Sequence, residues 1–121
     1  MTVTPPDFEA IEAHLWSILE PYRGRLEAGS IYGLATLKWV GTKQHDFFAG
    51  VRVAPNHVAF HLMPVYTDPH LLDDVSPGLR KHLKGKTTFN FTSVDEALFA
   101  ELADLSERSF EAYAAAHQLA S

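Results

Sequence analysis

Leu83-Lys84-Gly85-Lys86-Thr87-Thr88-Phe89-Asn90-Phe91, followed by an amphipathic run from Ser93 to Tyr113, decides the fold. The first piece alternates. Thr87, Phe89 and Phe91 point one way and Thr88 and Asn90 the other, the two-residue period of a half-buried strand over 86–92. The second piece has helical period, with Leu98, Phe99, Leu102, Leu105, Phe110 and Tyr113 on one side. Ser93 with Glu96 three residues later reads as a capping box that opens this helix.

Working towards the N-terminus, residues 57–63 place Val58, Phe60 and Leu62 inward and Ala59, His61 and Met63 outward. Residues 46–53 put Phe47, Ala49, Val51 and Val53 on one face and Phe48, Gly50 and Arg52 on the other. Residues 31–40 put Ala35, Leu37 and Trp39 opposite Thr36 and Lys38. The short turn at Ala54-Pro55-Asn56 makes these strands an antiparallel meander. Pro64 ends the third of them, and Thr67-Asp68-Pro69 and Ser76-Pro77 open short helical turns over 69–73 and 77–83. At the start of the chain, Thr4 caps a helix with Pro5 and Asp7 in its first turn. That helix carries Phe8, Ile11, Leu15, Ile18, Leu19 and Tyr22 as its apolar stripe, and Pro21 ends it near Glu20. Residues 23–28 read as a further turn, broken by Gly29-Ser30.

The expected fold is therefore one α+β domain over residues 1–121, an antiparallel sheet of four or five strands with the N- and C-terminal helices packed on one face. Phe8, Leu15, Leu37, Val51, Phe60, Phe89, Leu102 and Phe110 are its predicted core. A chain of 121 residues that is 46% hydrophobic and 21% charged supports one such core without covalent staples. The absence of cysteine excludes disulfides, thiolate metal sites and cysteine nucleophiles, and suits a cytoplasmic location. Residues 1–7 show no secretory signal, and no apolar run approaches the ~20 residues of a membrane span. A net charge of −5 speaks against nucleic acid as a partner, because phosphate neutralisation dominates that kind of binding.

His61-Leu62-Met63-Pro64 after a strand, Ser76-Pro77 with Leu79, and Leu83-Lys84-Gly85-Lys86 leading into Phe89-Asn90-Phe91 resemble the YdhG-like family, a group of uncharacterised bacterial domains. The resemblance covers nearly the whole chain. It implies a frataxin-like fold and supplies little chemistry, since architecture alone carries no function.

Three surfaces are candidates for function. The outward sheet face mixes cationic, aromatic and amide groups at Lys38, Phe48, Arg52, His61, Met63, Thr88 and Asn90. Four of the ten Lys and Arg residues fall within residues 80–86, where Gly85 frees the backbone and Lys86 and Arg80 offer cations to a carboxylate or phosphate. A helix end with a glycine cap explains the same segment without a ligand. On the last helix Glu96, Asp104, Glu107 and Glu111 fall within an arc of roughly 80° at 100° per residue. Frataxin-like proteins hold iron on acidic helical surfaces, so the resemblance implies iron there. A solvated helix face is the plainer reading, and Arg108 can neutralise a neighbour.

Enzymatic chemistry finds less support. His57 and His61 share a strand face but lie roughly 13 Å apart at ~3.3 Å per residue, too far for one metal ion. No Gly-x-Ser-x-Gly elbow, Walker motif or dinucleotide fingerprint is present. The expectation is a non-enzymatic binding module for a small anionic molecule or a protein. Lys38, Phe48, Arg52, His61, Lys86 and Asn90 would make its contacts without a cofactor, on a face also suited to a homodimer contact.

Overall fold

In the computed structural model, residues 8–31, 34–41, 43 and 46–119 are described, with 118 and 119 as backbone alone. The cap expected at Thr4, and Pro5 and Asp7 with it, lie outside those residues. Helix α1 (Phe8–Leu19) buries Ile11, Leu15, Ile18 and Leu19. Pro21 has no N–H to give and its ring crowds the preceding turn, so the α-helix stops at Leu19 and the chain continues as a 3-10 turn over Glu20–Arg25.

Next comes a strand that the sequence reading took for a turn. Glu27–Ile31 (β1) pairs antiparallel with Leu34–Lys38 (β2) from Glu27 opposite Lys38 to Ile31 opposite Leu34. Ala28, Gly29 and Ser30 have little strand preference of their own, and the ladder offered by β2 overrides it. Phe47–Val53 (β3) and Val58–Leu62 (β4) continue the meander. The crossover holds a single turn of helix, α2 (Pro64–Thr67), a 3-10 turn (Pro69–Leu72) and α3 (Pro77–Arg80). Helix α3 ends at Arg80 rather than near residue 83, because Leu83–Lys84 forms a short edge strand, β5, against Thr88–Phe91, β6. Gly85, at φ 68°, sits in the turn between them, where the left-handed backbone favours glycine; it does not cap a helix. The order is β1-β2-β3-β4-β6-β5, six antiparallel strands where four or five were expected.

The chain closes with α4 (Glu96–Leu119). Its first turn is capped by Asp95, whose carboxylate accepts the Leu98 N–H at 3.1 Å, so the cap lies two residues beyond the predicted Ser93. Helices α1 and α4 share one face of the sheet. Ile11, Leu15 and Leu19 of α1 join Phe99, Leu102, Leu105 and Phe110 of α4 in one core with Leu37, Val51, Phe60, Leu62, Phe89 and Phe91. Seven of the eight predicted core residues are buried, and Phe8 packs half-buried against them. Among the described residues no helix is long and apolar enough to cross a membrane.

Two polar clasps fix α4. Glu101 accepts the Ser76 N–H and hydroxyl, each at 2.6 Å, while the Ser76 oxygen accepts the Leu79 N–H at the start of α3. Near the other end, the Tyr113 hydroxyl accepts the Trp39 N–H at 2.9 Å and donates to the Asp46 carbonyl at 2.8 Å. His117 lies 2.9 Å from the Asp46 carboxylate and stacks on Trp39.

Candidate functional site

The period-two rule fails once, and the failure moves a predicted site residue. Leu37 pairs with Ala49 but Lys38 pairs with Phe47, so Phe48 is the extra residue of a β-bulge. The bulge turns Phe48 and Ala49 both towards the helices. Phe48 is fully buried, its ring centroid 5.3 Å from those of Tyr22 and Phe110 and 5.7 Å from that of Tyr113. It is a core residue and not a ligand contact. Lys38 is also withdrawn from solvent. It points to the outer face as expected, but is 5% exposed and its ammonium donates to the Glu27 carboxylate supplied by the unforeseen β1. That hydrogen bond, with one from the Gly41 N–H, holds the Glu27 carboxyl below the usual carboxylate range.

Arg52, His61, Lys86 and Asn90 remain on the outer side. The ladder sets Arg52, Ala59 and Asn90 in one row and Gly50, His61 and Thr88 in the next. Arg52 and Lys86 are exposed, and His61 and Asn90 are half-buried. The Asn90 side-chain oxygen is buried with no hydrogen-bond partner. His61 Nδ1 lies 3.1 Å from the Thr88 hydroxyl. Burial first, and then the charge of Arg52, push the His61 imidazole below its ordinary 6.5, because both disfavour the cation.

The sign of the pH effect follows. Between the lowered folded-state value and 6.5 the unfolded chain binds more protons, so His61 contributes stability above 6.5 that is lost as pH falls through that window. An NMR titration of the His61 ring should give a midpoint below 6.5, and a His61→Asn variant should lose this part of the acid sensitivity. A midpoint above 6.5 would contradict the burial of the ring and, after it, the nearby charge of Arg52.

Three surface hollows run from the β5 edge, where Leu83 lies on the same side of the sheet as Phe89, to the outer face that carries His61 and Arg52. Val65, Tyr66, Pro69, Leu72, Leu83, Gly85 and Lys86 surround one of about 470 Å³. Met63, Tyr66, Thr67, Lys86 and Thr87 surround a second of about 630 Å³. A third of about 240 Å³ lies among Ile31, Leu34, Phe47, Arg52, His61 and Met63. Tyr66 and Lys86 border both of the first two, and Met63 borders the second and the third, so the three form one tract from the crossover to Arg52. The Lys86 ammonium lies 5.4 Å from the centroid of the Tyr66 ring.

Of the residues expected to touch a ligand, the structure thus brings Arg52, His61 and Lys86 to the tract and leaves Asn90 beside it. Tyr66, Leu72 and Leu83 were missed. Tyr66 carried a usable signal: an aromatic just after Pro64, outside every periodic stripe, and here 56% exposed.

The acidic set stays on the solvent side of α4. Glu96, Asp104, Glu107 and Glu111 are all exposed, and Arg108 lies 3.3 Å from the Asp104 carboxylate while also donating to the Leu71 carbonyl. Among the described residues no group of three or more His, Asp or Glu side chains is placed to hold a metal ion. Anaerobic calorimetry with ferrous iron should give the same heat for the wild type and for the Asp104→Ala/Glu107→Ala/Glu111→Ala variant. A stoichiometric heat lost in the variant would instead establish an iron site on this face.

No protein-family model, curated protein or solved structure matches this chain. The motif residues behind the YdhG-like resemblance do have local structural work: Ser76 caps α3 and Leu83–Lys86 builds the β5–β6 hairpin. Function is therefore read from the tract itself.

Proposed function

We propose that this domain is a non-enzymatic binding module for a small anionic ligand, seated on the tract from Lys86 and Tyr66 across Met63 to His61 and Arg52. One observation carries the reading. The charged side chains bordering the three hollows are Lys86 and Arg52, with His61 between them, and among the described residues no Asp or Glu borders them. On a chain of net charge −5 this is a local reversal of sign. Cations beside low-dielectric walls concentrate anions there. The two larger hollows also have the size usual for small-molecule sites, with an apolar lining and few polar groups to orient a ligand.

The test is a thermal-shift screen of the full chain against phosphate, citrate and a panel of mono- and dicarboxylates. A ligand at 100 times its Kd stabilises the folded state by about 2.7 kcal/mol. The wild type should shift, and the Arg52→Ala/Lys86→Ala double variant should not; both side chains are exposed, so their removal leaves the core intact. No shift with any anion, or an equal shift in the double variant, would refute the reading.

A further inference from the structure

We infer that the anion is an unbranched aliphatic carboxylate, its chain lying in the hollow beside the crossover and its head meeting Lys86. This rests on the binding reading above and narrows it to one ligand class. The hollow of about 470 Å³ has Val65, Pro69, Leu72 and Leu83 as apolar walls, contributed by the crossover and the β5 edge. Among the described residues Lys86 provides the one charge on its border, and Gly85 adds no side chain beside it. A compact polyanion such as phosphate gains little from a single ammonium, because tight phosphate sites gather several donors. Most of the binding energy available here is therefore the burial of apolar surface, about 25 cal/mol per Å².

The position of Lys86 says where the head would lie. Its ammonium stands over the Tyr66 ring, on the divide between the first hollow and the second. The ring holds the cation near one place, so less side-chain freedom is lost when a carboxylate meets it. A chain running from there into the first hollow covers part of an aromatic ring that is 56% exposed. The second hollow continues the path past Thr67 and Thr87 to Met63, whose unbranched side chain adapts to a flexible neighbour. An elongated tract with aliphatic walls and a cation part-way along it suits a chain with one charged end.

Calorimetric titration of the full chain with acetate, hexanoate, octanoate and decanoate, each below its micelle concentration, reads the chain directly. Affinity should rise about fourfold per added methylene, the equivalent of about 0.8 kcal/mol per buried CH2, until the hollow is full. Decanol should bind more weakly than decanoate, and Lys86→Glu should reverse the preference towards a decylammonium ion. Methyl signals of Leu72 and Leu83 should move on binding. Carboxylate affinity independent of chain length, equal affinity for decanol and decanoate, or methyl shifts absent from Leu72 and Leu83 would each overturn this assignment. If small anions still shift the wild type in those cases, the broader anion-binding reading stands. If no anion binds at all, both fall.

Discussion

Phe48→Ala should lower the unfolding free energy by about 3–5 kcal/mol, the usual cost of emptying the space of a buried aromatic ring. The residue is fully buried, and it meets Tyr22 and Phe110 edge-on and Tyr113 at a tilt. Its ring partners come from two separate parts of the chain, the 3-10 turn after α1 and helix α4, so the cavity cannot be closed by moving one of them. Guanidinium denaturation at constant m would read the loss as a lower midpoint. A change within about 0.5 kcal/mol is what a surface residue gives, and would place Phe48 on the outer face.

Gly50→Ala should destabilise by about 1–3 kcal/mol, by crowding rather than by a cavity. An added Cβ would stand 2.5 Å from the Ala35 carbonyl oxygen and 3.1 Å from a Leu34 side-chain carbon. The first of these is backbone of the paired strand, so relief requires β2 and β3 to part and not merely a side chain to turn. Gly24→Ala is the control, since a Cβ there meets nothing within 4 Å. Equal stability of the two variants would mean that the β2–β3 pair is looser than its ladder indicates.

Much of the fold was legible in residue pattern. Strands β4 and β6 carry alternating bulky side chains, and α1 and α4 carry stripes at three and four residues, so burial alone dictates their orientation; β3 alternates only after its bulge, which leaves Phe47, expected inward, on the outer side. β1 was not legible because Ala28, Gly29 and Ser30 have no alternation to read; its existence is a property of β2 beside it. β5 is two residues long, below any periodic signal. Overlooking β1 also hid Glu27, and with it the reason Lys38 cannot greet a ligand.

The site was legible to the same depth. Arg52 and His61 stand on strands whose alternation places them, whereas Lys86, expected at the start of a strand over 86–92, lies in the turn before β6, which begins at Thr88. The error at Phe48 comes from one inserted residue, which no two-residue period can anticipate. Tyr66, Leu72 and Leu83 meet only because the crossover folds back on the β5 edge, an arrangement set by tertiary packing. Sequence periodicity describes one element at a time, whereas a hollow is made between elements.

The Tyr113 hydroxyl ties the C-terminal half of α4 to backbone groups 74 and 67 residues earlier in the chain. Contacts that span so much chain carry a large loop-closure entropy and form after local structure is in place. If the clasp closes after the folding transition state, a Tyr113→Phe variant should unfold faster while folding at nearly the wild-type rate. Interactions made on the native side of the barrier slow escape from the folded state while leaving the folding rate nearly unchanged. On that account a single phenol oxygen on α4 would act as a brake on unfolding, and a Tyr113→Phe variant that slowed folding instead would overturn it.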